Sequence, residues 1–553
     1  MRLRGITLVI AILFLFTAIR LMRLNNGGPA HRTVELPGVE PATLYMPENP
    51  DSSGVIAPPA VQRPAAVVLV HGFMSDRQMM GALARRIAEN GYAVLTIDVH
   101  GHGENRNPAD RRVMDSLARW VAASGYAAIS VGSRNGTPGN PFVSSIDRGV
   151  IRADVKQAVD FLRRDPLVDG SRIGVIGHSM GAGAVLDYAE HDPAIKGAVM
   201  ISGGWSLWPN RPPNALFIFG EFDPAAAVRE TSTALAANLA GAAPIELAKV
   251  YGDFSKGDAV EAVQIPNVDH VQMIYSPEAA ATIVRWLDSI FGTARQGAID
   301  TADPRLGSLG IVLLLFLILL IPLGRVSGSI APKWPISAAG WRTGVGFVFV
   351  AIAGFAAMPI AARIPAEWFL PIVVADVQVL WLAIAGLFMA AGLIHSQQLD
   401  RRQLSAGLGM TAICAALAFG VIYASDAEVS VISQRLWLTP ERFAAVLIAA
   451  LLMLPFWFGF EILVRRGGPL ISAVQAVIGR VLIIAMIICG VKLQVMPLVV
   501  VLIMPAIAII SVPVEIFAAS AYSTSRNLML IALVETMWFA WTMVATTPIT
   551  FMF

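Results

Sequence analysis

Arg172-Ile-Gly-Val-Ile-Gly-His-Ser179-Met-Gly-Ala-Gly-Ala-Val185 is the stretch that decides how this chain is read. Ile173 to Ile176 have the continuous apolar character of a buried strand, Gly177-His178-Ser179-Met180-Gly181 form a tight turn, and a run of small residues opens a helix. This is the Gly-x-Ser-x-Gly nucleophile-elbow pattern. A serine at the tip of so sharp a turn has a strained backbone, and Gly177 and Gly181 are required where any Cβ would collide with the neighbouring strand or helix. The turn lifts the hydroxyl above the sheet edge. It also aims the helix N-terminus and the Met180 amide at the place where an oxyanion would form.

Outward from the turn, strands alternate with helices. Ala65-Ala-Val-Val-Leu-Val70 is a strand ending in His71-Gly72-Phe73-Met74, with a helix over Gln78 to Asn90. Tyr92 to Ile97 is the next strand, ending in Asp98-Val-His-Gly-His-Gly103, and a helix over Ile151 to Arg164 precedes the elbow. After it come strands Gly197 to Ser202 and Ala215 to Phe219, a helix over Ala226 to Leu239, a strand near Ile245 to Val250, and a helix over Pro277 to Phe291. Such alternation implies an α/β domain with a doubly wound, mostly parallel sheet. The polar, proline-containing segment 25–64 reads as a linker with edge strands.

A serine hydroxyl is a weak nucleophile at neutral pH. It needs a base within reach and a third group to orient that base. On this topology the acid and then the histidine follow the serine. The strand from Ala215 ends in Gly220-Glu-Phe-Asp223-Pro, where Asp223 is favoured over its rival Glu221. Of eight histidines only His270 and His395 come later, and His395 closes an apolar run; His270, in Pro266-Asn-Val-Asp-His270-Val, remains. The second oxyanion donor is expected from the loop after the first long strand, at the Phe73 amide. His71 and Gly72 are expected to shape that loop without doing proton chemistry.

Val-His71-Gly-Phe, Asp98-x-His-Gly-His-Gly103, Gly-His-Ser179-Met-Gly, Gly-Glu-Phe-Asp223 and Asp-His270 together resemble the α/β-hydrolase superfamily, nearest its monoglyceride-lipase-like and dienelactone-hydrolase-like esterases. The resemblance spans roughly residues 40–292. It implies Ser-His-Asp chemistry through an acyl-enzyme, with no cofactor. A helical lid between Ser202 and Ala215 has no room here. Trp205, Trp208 and the insertion between Glu104 and Val150, with Trp120, Tyr126 and the Gly132 to Pro141 loop, are the candidates for the acyl pocket.

The composition shows that this domain is only part of the molecule. The chain has 553 residues, 56% of them hydrophobic, with a mean hydropathy of +0.63. That is a membrane protein's composition. A formal net charge of +2 excludes a strongly basic nucleic-acid binder, and Cys414 and Cys489 both lie in apolar runs, so the polar region has no disulfide framework or cysteine metal site. Arg2 and Arg4 precede an apolar run from Gly5 to Ile19, followed by Arg20 and Arg23 without a small-x-small cleavage site. We read it as an uncleaved signal anchor.

From Leu306 onward come eight spans of roughly 20 apolar residues, the length a bilayer core requires. They lie near 306–324, 343–362, 368–394, 405–424, 442–463, 470–490, 496–519 and 528–548, a membrane bundle that resembles no family we can name. The expected organisation is an anchor helix (1–24), linker and edge strands (25–64), an α/β-hydrolase domain (65–292), a second linker (293–305) and an all-α transmembrane bundle (306–553). Arg325, Lys333, Arg342, Arg401, Arg402, Arg465, Arg466 and Arg526 fall in alternate loops, whereas Arg363, Arg435 and Lys492 in the others are interleaved with Glu367, Asp426 and Glu428. By the positive-inside rule the N-terminus is cytoplasmic and the hydrolase domain is outside the cytoplasm of a cell membrane, although Arg20 and Arg23 oppose this frame.

Two rival readings come from other chemistry. His100-x-His102 beside Asp98 suggests a metal pair, but it lacks the further Asp-His of a binuclear site. Asp376, Arg480, Glu515 and Glu535 are ionisable residues inside apolar spans, and such residues mark transport or lipid handling unless they only pair with one another. Pro505 and Pro513 are expected to break the span that holds Glu515. The expected partners are an ester or lipid substrate and membrane lipids, with no nucleic acid.

Overall fold

The computed structural model describes residues 2–26, 28–39, 41–47, 63–109, 145–204, 211–224, 228–295, 297–333, 343–365, 370–395, 408–429, 436–465, 468–493, 496 and 499–550. The chain forms two compact units. One is Leu21–Gly307; the other comprises Met1–Arg20, Ser308–Val429 and Leu436–Phe553.

An apolar helix α1 (Arg2–Asn26) comes first, followed by strands β1 (His31–Val34), β2 (Ala42–Tyr45) and β3 (Ala66–Val70), helix α2 (Gly81–Glu89), β4 (Ala93–Ile97), α3 (Ser145–Arg164), β5 (Ile173–His178), α4 (Met180–His191), β6 (Ala198–Ile201), β7 (Ala215–Gly220), α5 (Glu230–Ala240), β8 (Val260–Ile265) and α6 (Pro277–Phe291). The eight strands make one sheet in the order β1-β2-β4-β3-β5-β6-β7-β8. β4 to β8 run parallel across it, and β1 and β2 form an antiparallel edge. Every residue of β3, β4, β5 and β7 is buried, as expected of strands covered by helices on both faces. Each buried Val, Leu, Ile or Phe there contributes roughly 1.5–3 kcal/mol.

The strand order reverses between β3 and β5, and the carboxyl ends beside such a reversal are where open α/β sheets hold their ligands. Register then fixes which loops meet. Val70 lies beside Gly177, His178 beside Ile201, and Ile201 beside Ile218. The loops after β3, β5, β6 and β7 therefore emerge side by side.

One expected strand is not formed. Ile245 to Val250 is irregular, with Ala248 at φ 58°, and touches the sheet edge through Ala248 N–H to Ala262 O (2.8 Å) and a Tyr251–Val260 bridge. Val260-Glu-Ala-Val-Gln-Ile265 pairs with β7 instead. Its residues alternate nearly buried and half-buried, the pattern of a strand with one open face.

The second unit is helical: α7 (Pro304–Ile330), α8 (Thr343–Ala361), α9 (Ala375–His395), α10 (Leu408–Val429), α11 (Pro440–Val464), α12 (Pro469–Lys492), α13 (Val499–Ser525) and α14 (Leu528–Thr546). Among the described residues eight helices, α1 included, are long and apolar enough to cross a membrane, and α10 adds a shorter apolar stretch, Thr411–Tyr423. The chain thus has the helices of a multi-pass membrane protein. α13 runs unbroken through Pro505 and Pro513, contrary to the sequence expectation. Tertiary packing holds a helix together where a proline removes one hydrogen bond.

Candidate active site

Ser179 stands between β5 and α4 at φ 54°, ψ −112°, a backbone conformation that side chains rarely adopt. Strain of this kind costs about 1–3 kcal/mol and persists only where the surroundings over-determine it. They do so here: the Ser179 amide donates to Ile201 O (2.8 Å), and the Ser179 carbonyl accepts from Ala182 N–H (3.0 Å). The two glycines answer to close approach. A Cβ on Gly177 would lie 2.1 Å from Gly181 O, and one on Gly181 would lie 2.5 Å from Val70 O. Residue 177 meets the helix and residue 181 meets the strand, as the motif requires.

The candidate acid and histidine come together. Asp223, in the loop after β7, is buried and accepts from His270 Nδ1 (2.6 Å), Ser202 Oγ (2.6 Å) and the Gly220 amide (2.7 Å). Burial opposes its charge, but the hydrogen bond and charge of His270, with Ser202 and Gly220, outweigh it and hold its pKa below the ordinary value. An ionised Asp223 only accepts, so the proton of the pair is on Nδ1 and Nε2 is the basic nitrogen of His270. Glu221 is engaged elsewhere, accepting the Asn267 amide at 2.9 Å.

His270 is drawn toward the serine turn by His178, whose Nε2–H donates to the His270 carbonyl (2.8 Å), with ring centroids 4.9 Å apart. Burial, then the neighbouring His270, lowers the His178 pKa to about 3, so this ring is a neutral donor. The Ser179 hydroxyl and His270 Nε2 make no hydrogen bond to each other among the described residues, and such contacts commonly tighten only when substrate is bound.

The Phe73 and Met180 amides donate no backbone hydrogen bond among the described residues. Met180 is the first residue of α4, whose opening amides have no partner within the helix. His71 is buried, with Nδ1 2.7 Å from Gly72 O and Nε2 accepting from the Val99 amide at 3.2 Å. Both ring nitrogens are occupied, and burial lowers its pKa, so it braces the loop in the neutral form.

Ser202 is the site residue that the sequence reading missed. It follows β6, the strand between the serine and acid strands, and its φ of 50° turns the chain there. A serine after a strand is an ordinary turn residue, so only the strand order gives it meaning.

Asp98, His100 and His102 have separate partners. Asp98 accepts from the Arg77 guanidinium, the Arg77 amide (2.7 Å) and the Glu104 amide (3.0 Å); His100 pairs with Asp154 (2.6 Å); the His102 ring packs on those of His71 and Phe73. Trp205, Trp208, Trp120, Tyr126 and the Gly132 to Pro141 loop lie outside the described residues.

In the helical unit, Arg480, Glu515 and Glu535 come together: Arg480 pairs with both carboxylates. Glu461 and Arg465 join them. Arg465, read from the sequence as a loop residue, is in fact buried. Asp376 is buried in the first turn of α9, where it accepts the Val377 amide at 2.8 Å.

Residues 62–238, about a third of the chain, match the family model described as serine aminopeptidase, S33. The match includes Ser179 and Asp223 and stops short of His270. No curated protein matches the chain. Among solved structures, a hypothetical protein of Pseudomonas aeruginosa is 17% identical with a TM-score of 0.31, covering 48% of this chain and 94% of its own. A protein of Klebsiella pneumoniae subsp. pneumoniae described as a dienelactone hydrolase is 17% identical with a TM-score of 0.30, covering 48% of this chain and all of its own. By its sheet order, its strained serine turn and its family match, the sheet-containing unit has the α/β-hydrolase fold, joined in one chain to an all-helical unit with the composition of a membrane bundle.

Proposed function

We propose that this protein is a membrane-integral serine hydrolase that cleaves carboxylic esters with lipidic or other apolar acyl groups. The observation that carries the reading is the hydrogen-bonded His270–Asp223 pair at the carboxyl ends of the strands beside the Ser179 turn. His270 Nε2 takes the Ser179 proton as Oγ attacks the ester carbonyl, and Asp223 stabilises the imidazolium that forms. The Phe73 and Met180 amides receive the oxyanion. His270 returns the proton to the leaving alcohol, and water, activated in the same way, releases the acid from the acyl-enzyme.

Apolar substrates suit the rim. Phe222 and Val271, next to the acid and the histidine, are 62% and 45% exposed. We place the hydrolase domain at 65–292, its anchor at 1–24, linkers at 25–64 and 293–305 and the bundle at 306–553, with the catalytic domain outside the cytoplasm of the cell membrane. Protease access to the domain in spheroplasts tests that side: cleavage is expected, and protection reverses the orientation.

The chemical test compares wild-type membranes with Ser179→Ala on a short-acyl ester and on an aminoacyl anilide. Ester turnover in the wild type is expected to exceed anilide turnover, and to fall by about 10⁴-fold or more in the variant. An unchanged rate in Ser179→Ala contradicts the assignment, and faster anilide cleavage contradicts the ester specificity.

A further inference from the structure

Three carboxylates and two guanidinium groups meet inside the helical unit. Glu461 is on α11 and Arg465 caps its end; Arg480 is in the middle of α12, Glu515 on α13 and Glu535 on α14. Arg465 reaches Glu461 Oε1 at 3.2 Å and the two oxygens of Glu515 at 3.0 and 2.9 Å, with Glu535 Oε1 at 3.9 Å. Arg480 donates to Glu515 and to Glu535 Oε1. The side chains of Glu461, Arg465 and Glu535 are fully buried, and those of Arg480 and Glu515 are 7% and 11% exposed.

The charges do not balance. With every group ionised the cluster is one negative charge in excess, in an interior where an uncompensated ion is strongly disfavoured. Other described charged side chains on the helices packed against α14 have contacts of their own. Arg442 of α11 donates to the Val544 and Thr547 carbonyls at the far end of α14, and Glu441 is in the same first turn of α11. Arg526 lies over the Tyr522 ring at 4.6 Å, and Arg465 over that ring at 6.0 Å. From α10, Phe419 and Tyr423 meet Trp541 ring to ring.

One atom shows where the imbalance falls. Glu535 Oε1 receives Arg480, whereas Oε2 of the same carboxylate is buried with no hydrogen-bond partner among the described residues. A charged oxygen without a donor is costly to bury; adding a proton brings the cluster to zero net charge.

We propose that Glu535 is a proton-binding site, holding one exchangeable proton at neutral pH in the folded protein. Loading and unloading it moves the cluster between net zero and one negative charge. Such a step is what couples an apolar bundle to pH or to a proton gradient. Glu515, the most exposed member, links the cluster to its surroundings.

Infrared difference spectra of the purified full-length protein in nanodiscs, taken between neutral and alkaline pH, test this. The wild type is expected to lose a protonated-carboxyl C=O band that Glu535→Gln abolishes. Glu535→Asp should move the band to the aspartate position, which covers failure of the Gln variant to insert. Absence of the band in wild type overturns the proposal, as does a band unmoved by either substitution or a stoichiometric bound cation in native mass spectra. Ser179→Ala should leave the band in place, so this site and the hydrolase reading fail separately.

Discussion

The hydrolase domain and the helical unit both bury charge, but by different rules. In the domain two buried carboxylates each have partners of their own, delivered by loops at strand ends: Asp223 has His270 with Ser202 and the Gly220 amide, and Asp98 has Arg77 with two backbone amides. In the helical unit five side chains from four helices share one cluster, and Arg480 serves two carboxylates at once. Backbone amides freed at strand ends can satisfy a carboxylate, whereas helix interiors have spent theirs on their own ladder. Charge deep in a bundle is therefore balanced by other side chains. Damage should be local in the first case and collective in the second.

The sharpest break expected is in rate. Asp223→Asn should lower kcat for ester hydrolysis by about 10⁴-fold, with the melting of the helical unit unmoved, and Glu221→Gln should keep most of the activity. Steady-state kinetics beside thermal unfolding of the full chain in detergent reads both. Next is Arg480→Gln, which leaves Glu515 and Glu535 short of a cation. It should destabilise the helical unit by about 3–5 kcal/mol, seen as a lowered melting transition while the ester rate persists. If instead Asp223→Asn melted the helical unit, the contrast between local and collective damage would fail.

The third prediction concerns pH. The folded pKa of His178 is lowered to about 3 by burial, then by His270, from an ordinary value of 6.5. The unfolded chain binds this proton first, so stability is full above pH 6.5 and declines as pH falls toward 3, by about 1.4 kcal/mol per unit. His178→Gln should flatten that limb in urea unfolding at stepped pH. The folded pKa of Asp223 is also lowered, and for a carboxylate this gives stability that is present above its ordinary value and lost as pH falls through the folded one. The two limbs are therefore separable. The smallest effect is expected from Ser202→Ala, which removes one of three donors to Asp223. A loss of roughly 1.4 kcal/mol, or about tenfold in kcat with KM unchanged, is expected; an unaltered rate would show that the other donors suffice.

The same contrast explains what could be read before the fold was known. In the domain, sheet topology fixes the chain order expected of serine, acid and histidine, so Asp223 and His270 could be singled out as candidates, and the structure pairs them with each other. Ser202 could not, because its role depends on β6 lying between β5 and β7, a spatial fact. The segment Ile245 to Val250 misled because its apolar residues suggest a strand, while the less apolar Val260 to Ile265 takes the place beside β7. In the bundle, hydropathy locates the spans but not their faces. Glu515 and Glu535 stood out as charges in apolar runs, yet Arg465 looked like half of a basic loop pair with Arg466. Its spacing of four from Glu461 was the available signal.

In the proposed mechanism one atom, the Ser179 hydroxyl oxygen, carries the acyl group. Membranes containing the full-length protein would be treated with a fluorophosphonate and the labelled protein mapped by peptide mass spectrometry. The predicted result is a single adduct on the peptide containing Gly177-His-Ser179-Met-Gly181, formed in wild type and lost when His270 is replaced by alanine. An adduct on another serine, or labelling of Ser179 that survives His270→Ala undiminished, would contradict it.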